Sequence, residues 1–172
     1  MDGEILQTDR LVLRKIKTDD YKEVCGILQD IEVMYAWEHA FTDNEVIGWI
    51  NENIDRYQRD GFSYFAAINK ADGTFVGVAG IIKEKVNGKE YIGLGYIFNK
   101  TFWKQGLAFE VVNACKKYAL EVLQVKELTA QIRPDNISSR KLAEKLGMVV
   151  KCEFIRNYKG KDIPHLLYSL TE

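Results

Sequence analysis

A chain of 172 residues, 47% hydrophobic and 28% charged, can bury one substantial core and is short for two. Its 24 basic and 25 acidic side chains nearly cancel, and a net charge of -1 excludes a global field that would draw nucleic acid or an anionic membrane surface. No apolar run approaches the roughly 18 residues that span a bilayer. The opening "MDGEILQTDRLVLR" has acids where a secretory leader has bases, so the expectation is a cytoplasmic protein with no membrane partner. Cys25, Cys115 and Cys152 are odd in number and widely spaced, which fits neither a disulfide framework nor a CxxC metal site. They read as small buried apolar residues. His39 and His165 stand alone, without metal-ligand spacing, and no metal is expected.

In chain order, alternation in "RLVLRKI", residues 10–16, predicts a first strand. "TDDYKEVCGILQD" then takes helical spacing, with Thr18 as its cap. In "FTDNEVIGWINENIDRYQRDG", Thr42 and Glu45 form a capping box ahead of Val46, Ile47, Ile50, Ile54 and Tyr57 on one helical face, and Gly61 closes the helix. Three strand-like runs follow, "FSYFAAIN", "TFVGVAGIIKEKV" and "EYIGLGYIF", separated by the hairpin dipeptides Asp72-Gly73 and Asn87-Gly88. They predict an antiparallel meander. After it come a long amphipathic helix, the strand "ELTAQIR", a short helix "SSRKLAEKLG" ended by Gly147, and two strands joined by "KGKD". The predicted order is β-α-α-β-β-β-α-β-α-β-β, a mixed α/β (α+β) sheet. No repeat, low-complexity stretch or linker divides it, so residues 1–172 read as a single domain.

The long helix is entered through "NKTFWKQGLAFEVV", where no Ser, Thr, Asp or Asn stands immediately ahead of Gly106. The first N–H groups of a helix lack partners within it, and its dipole favours anions at that end. Gly106 leaves room for a close-approaching group, with Lys100 and Lys104 alongside to neutralise phosphate charge. Equally, Gln105 or water could serve the helix end and the lysines be ordinary solvated charges. GxxxxGK[ST] is absent, and "GLGYIF" lacks the third glycine of a dinucleotide fingerprint. In "IRPDNISSRKLAEKLGM", Pro134 stops a strand, and Asn136 and Ser139 fall at the entrance of the next helix as functional groups or as plain caps.

Taken in order, "TDRLVLRKIKTDD", "GYIFNKTFWKQGLAFEVVNACKKYAL" and "RPDNISSRKLAEKLGM" resemble the GNAT superfamily of acyl-CoA-dependent N-acetyltransferases, in the branch of the ribosomal-protein N-terminal acetyltransferases. The resemblance covers nearly the whole chain and implies a mostly antiparallel, twisted sheet flanked by helices. In the superfamily pattern [RQ]xxGx[GA], Gly106 and Ala108 match the small residues, and Trp103 stands at the Arg/Gln position, as is common in this branch. The branch usually reads "WGKG" where this chain reads "WKQG", so Lys104 replaces a glycine. By resemblance, Phe98, Lys100, Trp103, Lys104, Gln105, Gly106, Leu107, Ala108 and Asn136 bind acetyl-CoA. Its pyrophosphate would cap the helix, and its pantetheine arm would pair with a splayed strand at residues 96–98.

The implied reaction is direct transfer of acetyl to a primary amine, a peptide N-terminus or a small molecule, by a monomer or homodimer. Backbone N–H groups near Phe98 would polarise the thioester, Asn136 would help hold the coenzyme arm, and Ser139 would protonate the departing thiolate. Two family positions depart from the pattern. A tyrosine acid seven residues after the asparagine is Ala143 here, and a glutamate two residues before the "GY" pair is Gly93. Glu84 and Glu90 flank the same hairpin, and the general base stays unassigned. The acceptor pocket is expected between the first strand, first two helices and final hairpin, with Tyr35, Trp37, His39 and Tyr168 as binding residues. A non-catalytic acyl-CoA-binding or sensing domain is the alternative that the two missing side chains raise.

Overall fold

The computed structural model describes residues 3–171; Met1 and Asp2, which begin the acidic opening stretch, and Glu172 lie outside them. One eight-stranded sheet runs through the described residues. Its strands are β1 (Glu4–Gln7), β2 (Leu11–Lys15), β3 (Tyr64–Asn69), β4 (Phe75–Val86), β5 (Lys89–Phe98), β6 (Glu127–Ile132), β7 (Val149–Tyr158) and β8 (Lys161–Thr171), in spatial order β1-β2-β3-β4-β5-β6-β8-β7. The helices are α1 (Tyr21–Leu28), α2 (Asp43–Arg59), α3 (Leu107–Lys117) and α4 (Ile137–Lys145). Every strand pairing is antiparallel except β5 with β6. The expected α/β architecture is therefore present, with one addition. β1 is a four-residue edge strand whose hydrogen bonds come from β2, and a run that short has too little periodicity to be read alone.

Turn chemistry sets the second hairpin of the meander as expected, whereas Asp72 and Gly73 lie in the longer loop between Asn69 and Phe75 and form no two-residue turn. Asn87 and Gly88 both take positive φ, at 49° and 80°, which lets a two-residue turn follow the strand twist between Val86 and Lys89. Lys159 and Gly160 do the same between β7 and β8.

The two faces of the sheet carry separate apolar layers. Below, Val24, Ile27, Leu28, Val46 and Ile50 from α1 and α2 pack on Ala66, Ile68, Val78 and Ile97. Above, Val111, Val112 and Cys115 from α3 and Ala143 from α4 pack on Phe65, Ile81, Leu94, Phe98, Leu128 and Tyr168. Burying each large aliphatic side chain contributes about 1.5–3 kcal/mol, so both faces are firmly covered where helices lie.

Three local expectations are corrected. Ile47 is 46% exposed, because α2 buries Val46, Ile50 and Tyr57 and turns Ile47 to the side. Thr18 does not cap α1. It opens a short 3-10 turn, and Asp20 precedes the helix with its carboxylate bound to the Lys17 N–H (2.8 Å) and to Arg14 (2.7 Å). Of the cysteines only Cys115 is buried; Cys25 is half-buried and Cys152 is exposed on β7. The capping box of Thr42 and Glu45 is present on α2.

Candidate active site

The entrance to α3 has the backbone that an anion site requires. Gly106 is the N-cap residue at φ 78°, and no side chain caps the helix. Lys104 is also left-handed, at φ 61°. A left-handed residue followed by a right-handed one, as Gly106 is by the helical Leu107, turns successive N–H groups toward one concavity, the arrangement known as a nest. The N–H of Glu110 closes the first turn on the Gly106 carbonyl (3.1 Å), so the N–H groups of Leu107, Ala108 and Phe109 project from the helix end. A Cβ on Gly106 would meet only the Arg10 Nη2 at 3.6 Å, so the glycine answers to its dihedral angle rather than to crowding.

This loop is fastened from both sides. The Trp103 indole N–H donates to the Phe98 carbonyl (2.9 Å), and the Gln105 amide donates to the Thr101 carbonyl (3.0 Å). From the β1–β2 turn, Arg10 donates to the Gln105 carbonyl (3.0 Å) and pairs with Glu110 (2.7 Å), which also accepts from Thr8 (2.6 Å). Arg10 and Glu110, which the motif does not contain, thus hold the loop in place. They lie 100 positions apart, so no local spacing announces them. Trp103, Lys104, Gln105 and Gly106 are exposed at this end, Ala108 is half-buried and Leu107 is buried. Lys100 is drawn elsewhere: it pairs with Asp30 (2.9 Å) and Glu32 (3.1 Å), and those carboxylates raise its pKa.

Beside the loop the sheet parts. β5 and β6 share only the rungs Ile92–Leu128 and Gly93–Thr129. The Ile92 carbonyl accepts from the Thr129 hydroxyl (3.1 Å), on the β6 side, whereas the Asn99 N–H turns to Val76 on the β4 side. Strand alternation therefore aims the main-chain groups of Leu94, Tyr96 and Phe98 at the gap. The Trp103 indole takes up the Phe98 carbonyl, at the open end of the cleft.

The α4 entrance closes the other side. Asn136 is its N-cap and accepts from the Ser139 N–H and the Ser138 hydroxyl, both at 3.2 Å. The Ser139 hydroxyl meets the Tyr96 hydroxyl at 2.8 Å. Burial raises the Tyr96 pKa, with the Ser139 bond opposing it. Ser139 thus has a hydroxyl partner from β5 that sequence reasoning missed. Tyr35 reaches the same corner, where burial and then the Asp135 carboxylate raise its pKa against Arg133 and Ser138. Trp37 packs on the lower apolar layer. His39 pairs with Glu45 (2.8 Å), and Lys159 of the β7–β8 turn joins both, which brings the final hairpin against this segment. Tyr168 stands apart. It is 1% exposed in the upper layer, and its hydroxyl is engaged by Glu144 (3.0 Å) and Arg140 (3.2 Å), so it packs rather than lines an open pocket.

The sequence pattern described as Acetyltransferase (GNAT) domain matches residues 10–149. The chain belongs to the GNAT acetyltransferase family. It is 31% identical to an uncharacterized N-acetyltransferase, p20, of Bacillus licheniformis over 98% of this chain and 97% of that one. A putative ribosomal-protein-serine acetyltransferase from Vibrio cholerae shares the fold with a TM-score of 0.81 at 22% identity, covering 99% and 98% of the two chains. RimL, a ribosomal L7/L12 alpha-N-protein acetyltransferase solved with coenzyme A, does so with a TM-score of 0.80 at 15% identity over 98% of each.

The two positions where the sequence departs from the expected family pattern, Ala143 and Gly93, carry no ionisable side chain of their own. Ala143 is buried in the upper layer, while the Tyr96 hydroxyl sits at Ser139. A Cβ on Gly93 would lie 3.1 Å from Glu84 Oε2 and 3.4 Å from the Thr129 hydroxyl oxygen. The Glu84 carboxylate thus occupies the space beside the last β5–β6 rung. Burial raises its pKa above the ordinary 4.5, opposed by Arg156, Arg56 and the Gln131 amide, which donates to it at 2.7 Å. Among the described residues no three His, Cys, Asp or Glu side chains gather as a metal would require. No described helix is long and apolar enough to cross a membrane.

Proposed function

We propose that this acetyltransferase uses acetyl-CoA and acetylates a primary amine, on a peptide N-terminus or a small molecule, by direct transfer in a ternary complex. One observation carries the reading. The uncapped α3 entrance at Gly106 is tied through Trp103 to the Phe98 end of the gap between β5 and β6, so a single extended molecule could set a pyrophosphate on the helix end and run an amide-bearing arm along the strand groups of residues 94–98. Trp103, Lys104, Gln105, Gly106, Leu107 and Ala108 would hold the pyrophosphate end. Phe98 and Asn136 would flank the arm. Lys100, held by two carboxylates, would help build the loop rather than meet phosphate.

In the reaction the amine nitrogen attacks the thioester carbonyl, a C–N bond forms and the C–S bond breaks. The Ser139 hydroxyl, backed by Tyr96, would give the departing thiolate its proton. The test is release of free thiol from acetyl-CoA across peptides, polyamines and aminoglycosides, with coenzyme binding followed by calorimetry. Turnover with any of these amines is the expected result. Tight coenzyme binding with no turnover for any amine would favour a sensing domain, and preference for ATP over coenzyme A would remove the reading.

A further inference from the structure

Below the sheet, α1 and α2 cover β2, β3 and the first part of β4, leaving the far ends of β4 to β7 uncovered. A cavity of about 410 Å³ lies there, lined among others by Arg56, Glu84, Gln131, Phe154 and Arg156. Four cationic residues, Arg56, Lys83, Lys85 and Arg156, line it against the single carboxylate of Glu84. Two of those cations are already committed: Arg56 pairs with Glu52 (2.8 Å), and Lys83 lies within reach of Asp60 (3.8 Å) and Glu90 (3.3 Å). Arg156 is not. Its guanidinium donates to the Gln131 side-chain amide oxygen (3.3 Å), with no carboxylate at ion-pair distance among the described residues. Gln131 in turn donates to Glu84 (2.7 Å), so one amide spaces a cation from an anion across the cavity floor.

We propose that this cavity is the acceptor site and that it takes a small amine bearing an acidic group, with the amine at Glu84 and the acid at Arg156. The assignment rests on the acetyltransferase reading. Geometry supports it in two ways. Glu84 Oε2 lies beside Gly93, at the rung where the β5–β6 cleft closes, so an amine held there faces the inner end of the cleft. Gly93 makes that possible, because any side chain at the position would press on the carboxylate. Chemistry supports it as well: an ammonium must shed a proton before nitrogen can attack, and a carboxylate whose hydration is reduced is a stronger base than one in water. Glu84 first passes the ammonium proton to solvent; once emptied, it takes the second nitrogen proton as the C–N bond forms and releases that to solvent in turn, while solvent restores the proton that Ser139 gives up. The thiolate takes its proton on the Ser139 side, so the net reaction exchanges thioester for amide and free thiol. A cavity with surplus positive charge favours an acceptor whose other end is anionic.

The experiment compares matched amines on the full chain: β-alanine, γ-aminobutyrate, L-phenylalanine and L-glutamate against their α- or terminal amides, by thiol release. Acids are expected to exceed their amides in kcat/KM by about tenfold or more, as a charge-assisted contact provides. Arg156→Met, which keeps the apolar stem, should erase that ratio, and Arg156→Lys should restore part of it. Glu84→Gln should lower kcat about a hundredfold for every acceptor while acetyl-CoA affinity stays within twofold. Amides used as well as acids, a ratio that survives Arg156→Met, or coenzyme binding with no amine of the set turned over would each overturn the acceptor assignment and leave coenzyme chemistry standing. Failure to bind acetyl-CoA at all would remove the underlying reading, and the acceptor assignment with it.

Discussion

Ser139 and Tyr96 form a hydroxyl pair across the gap between α4 and β5. A leaving-group acid acts in the transition state, so Ser139→Ala should lower kcat about a hundredfold and leave coenzyme affinity within twofold, measured by single-turnover kinetics and calorimetry. An unchanged rate of chemistry would exclude Ser139 as the acid. The raised pKa of Glu84 gives a second expectation. The carboxylate faces Arg156 and Arg56, with Tyr64 near it, and must be unprotonated to accept a proton. The kcat/KM of the wild-type chain should therefore fall as pH drops through a value above 4.5, and Glu84→Gln should lack that acid limb. At this scale the sequence was legible in part. The place of Asn136 and Ser139 at a helix entrance was visible because a strand-stop proline precedes them, whereas the Tyr96 partner of Ser139 is 43 positions away and leaves no local trace. Glu84 was visible only as a hairpin glutamate. Its value comes from an empty side-chain position on the next strand, which is a property of register and not of spacing. Tyr168 failed as a pocket residue for the opposite reason: strand alternation puts it on the upper, covered face.

The α3 entrance shows how an element is built around a backbone conformation. Gly106 is left-handed, and a β-branched residue there would cost about 1–2 kcal/mol and displace the N–H groups of the first turn. Gly106→Val should therefore weaken acetyl-CoA binding at least tenfold in a folded protein, as calorimetry beside circular dichroism would show. Wild-type affinity would place the pyrophosphate elsewhere. A different element rests on charge. Asp20 ties β2 to the start of α1 through Arg14; burial alone would raise its pKa, but the Arg14 and Lys17 hydrogen bonds outweigh that and hold it below 3.8. A depressed carboxylate stabilises the fold above its unfolded pKa and loses that contribution as pH falls through the folded one. Asp20→Asn should cost about 1.5–3 kcal/mol at pH 7 in urea denaturation, and the difference from wild type should shrink below pH 3.8. Of the elements, both helix caps with side-chain oxygens, at Thr42 and Asn136, were readable in the sequence. Thr18 was misread because the carboxylate two positions later, with an arginine on the neighbouring strand, sets the helix start.

At the scale of the whole molecule, the antiparallel meander and the four helices followed from turn dipeptides and apolar periodicity, the separation of β5 from β6 was expected only through the family resemblance, and β1 was not foreseen. Both depend on partners distant in the chain. A ligand that binds only the native state at a hundred times its Kd adds about 2.7 kcal/mol, which for a chain of this size raises Tm by roughly 5–11 °C. Saturating coenzyme A should produce a shift of that order in differential scanning calorimetry, and adenosine alone a much smaller one. The two-rung seam has a further consequence. Strands β1–β5 and β8–β7 with β6 make two leaves hinged on a very short spine, and amide protons of Leu94, Tyr96 and Phe98 lack the neighbour that would shield them. Hydrogen exchange should be quick along that line in the empty protein and slow once the thioester lies between the leaves. The donor would then complete the ladder as a borrowed ninth strand, and each catalytic cycle would make and unmake a piece of the sheet itself.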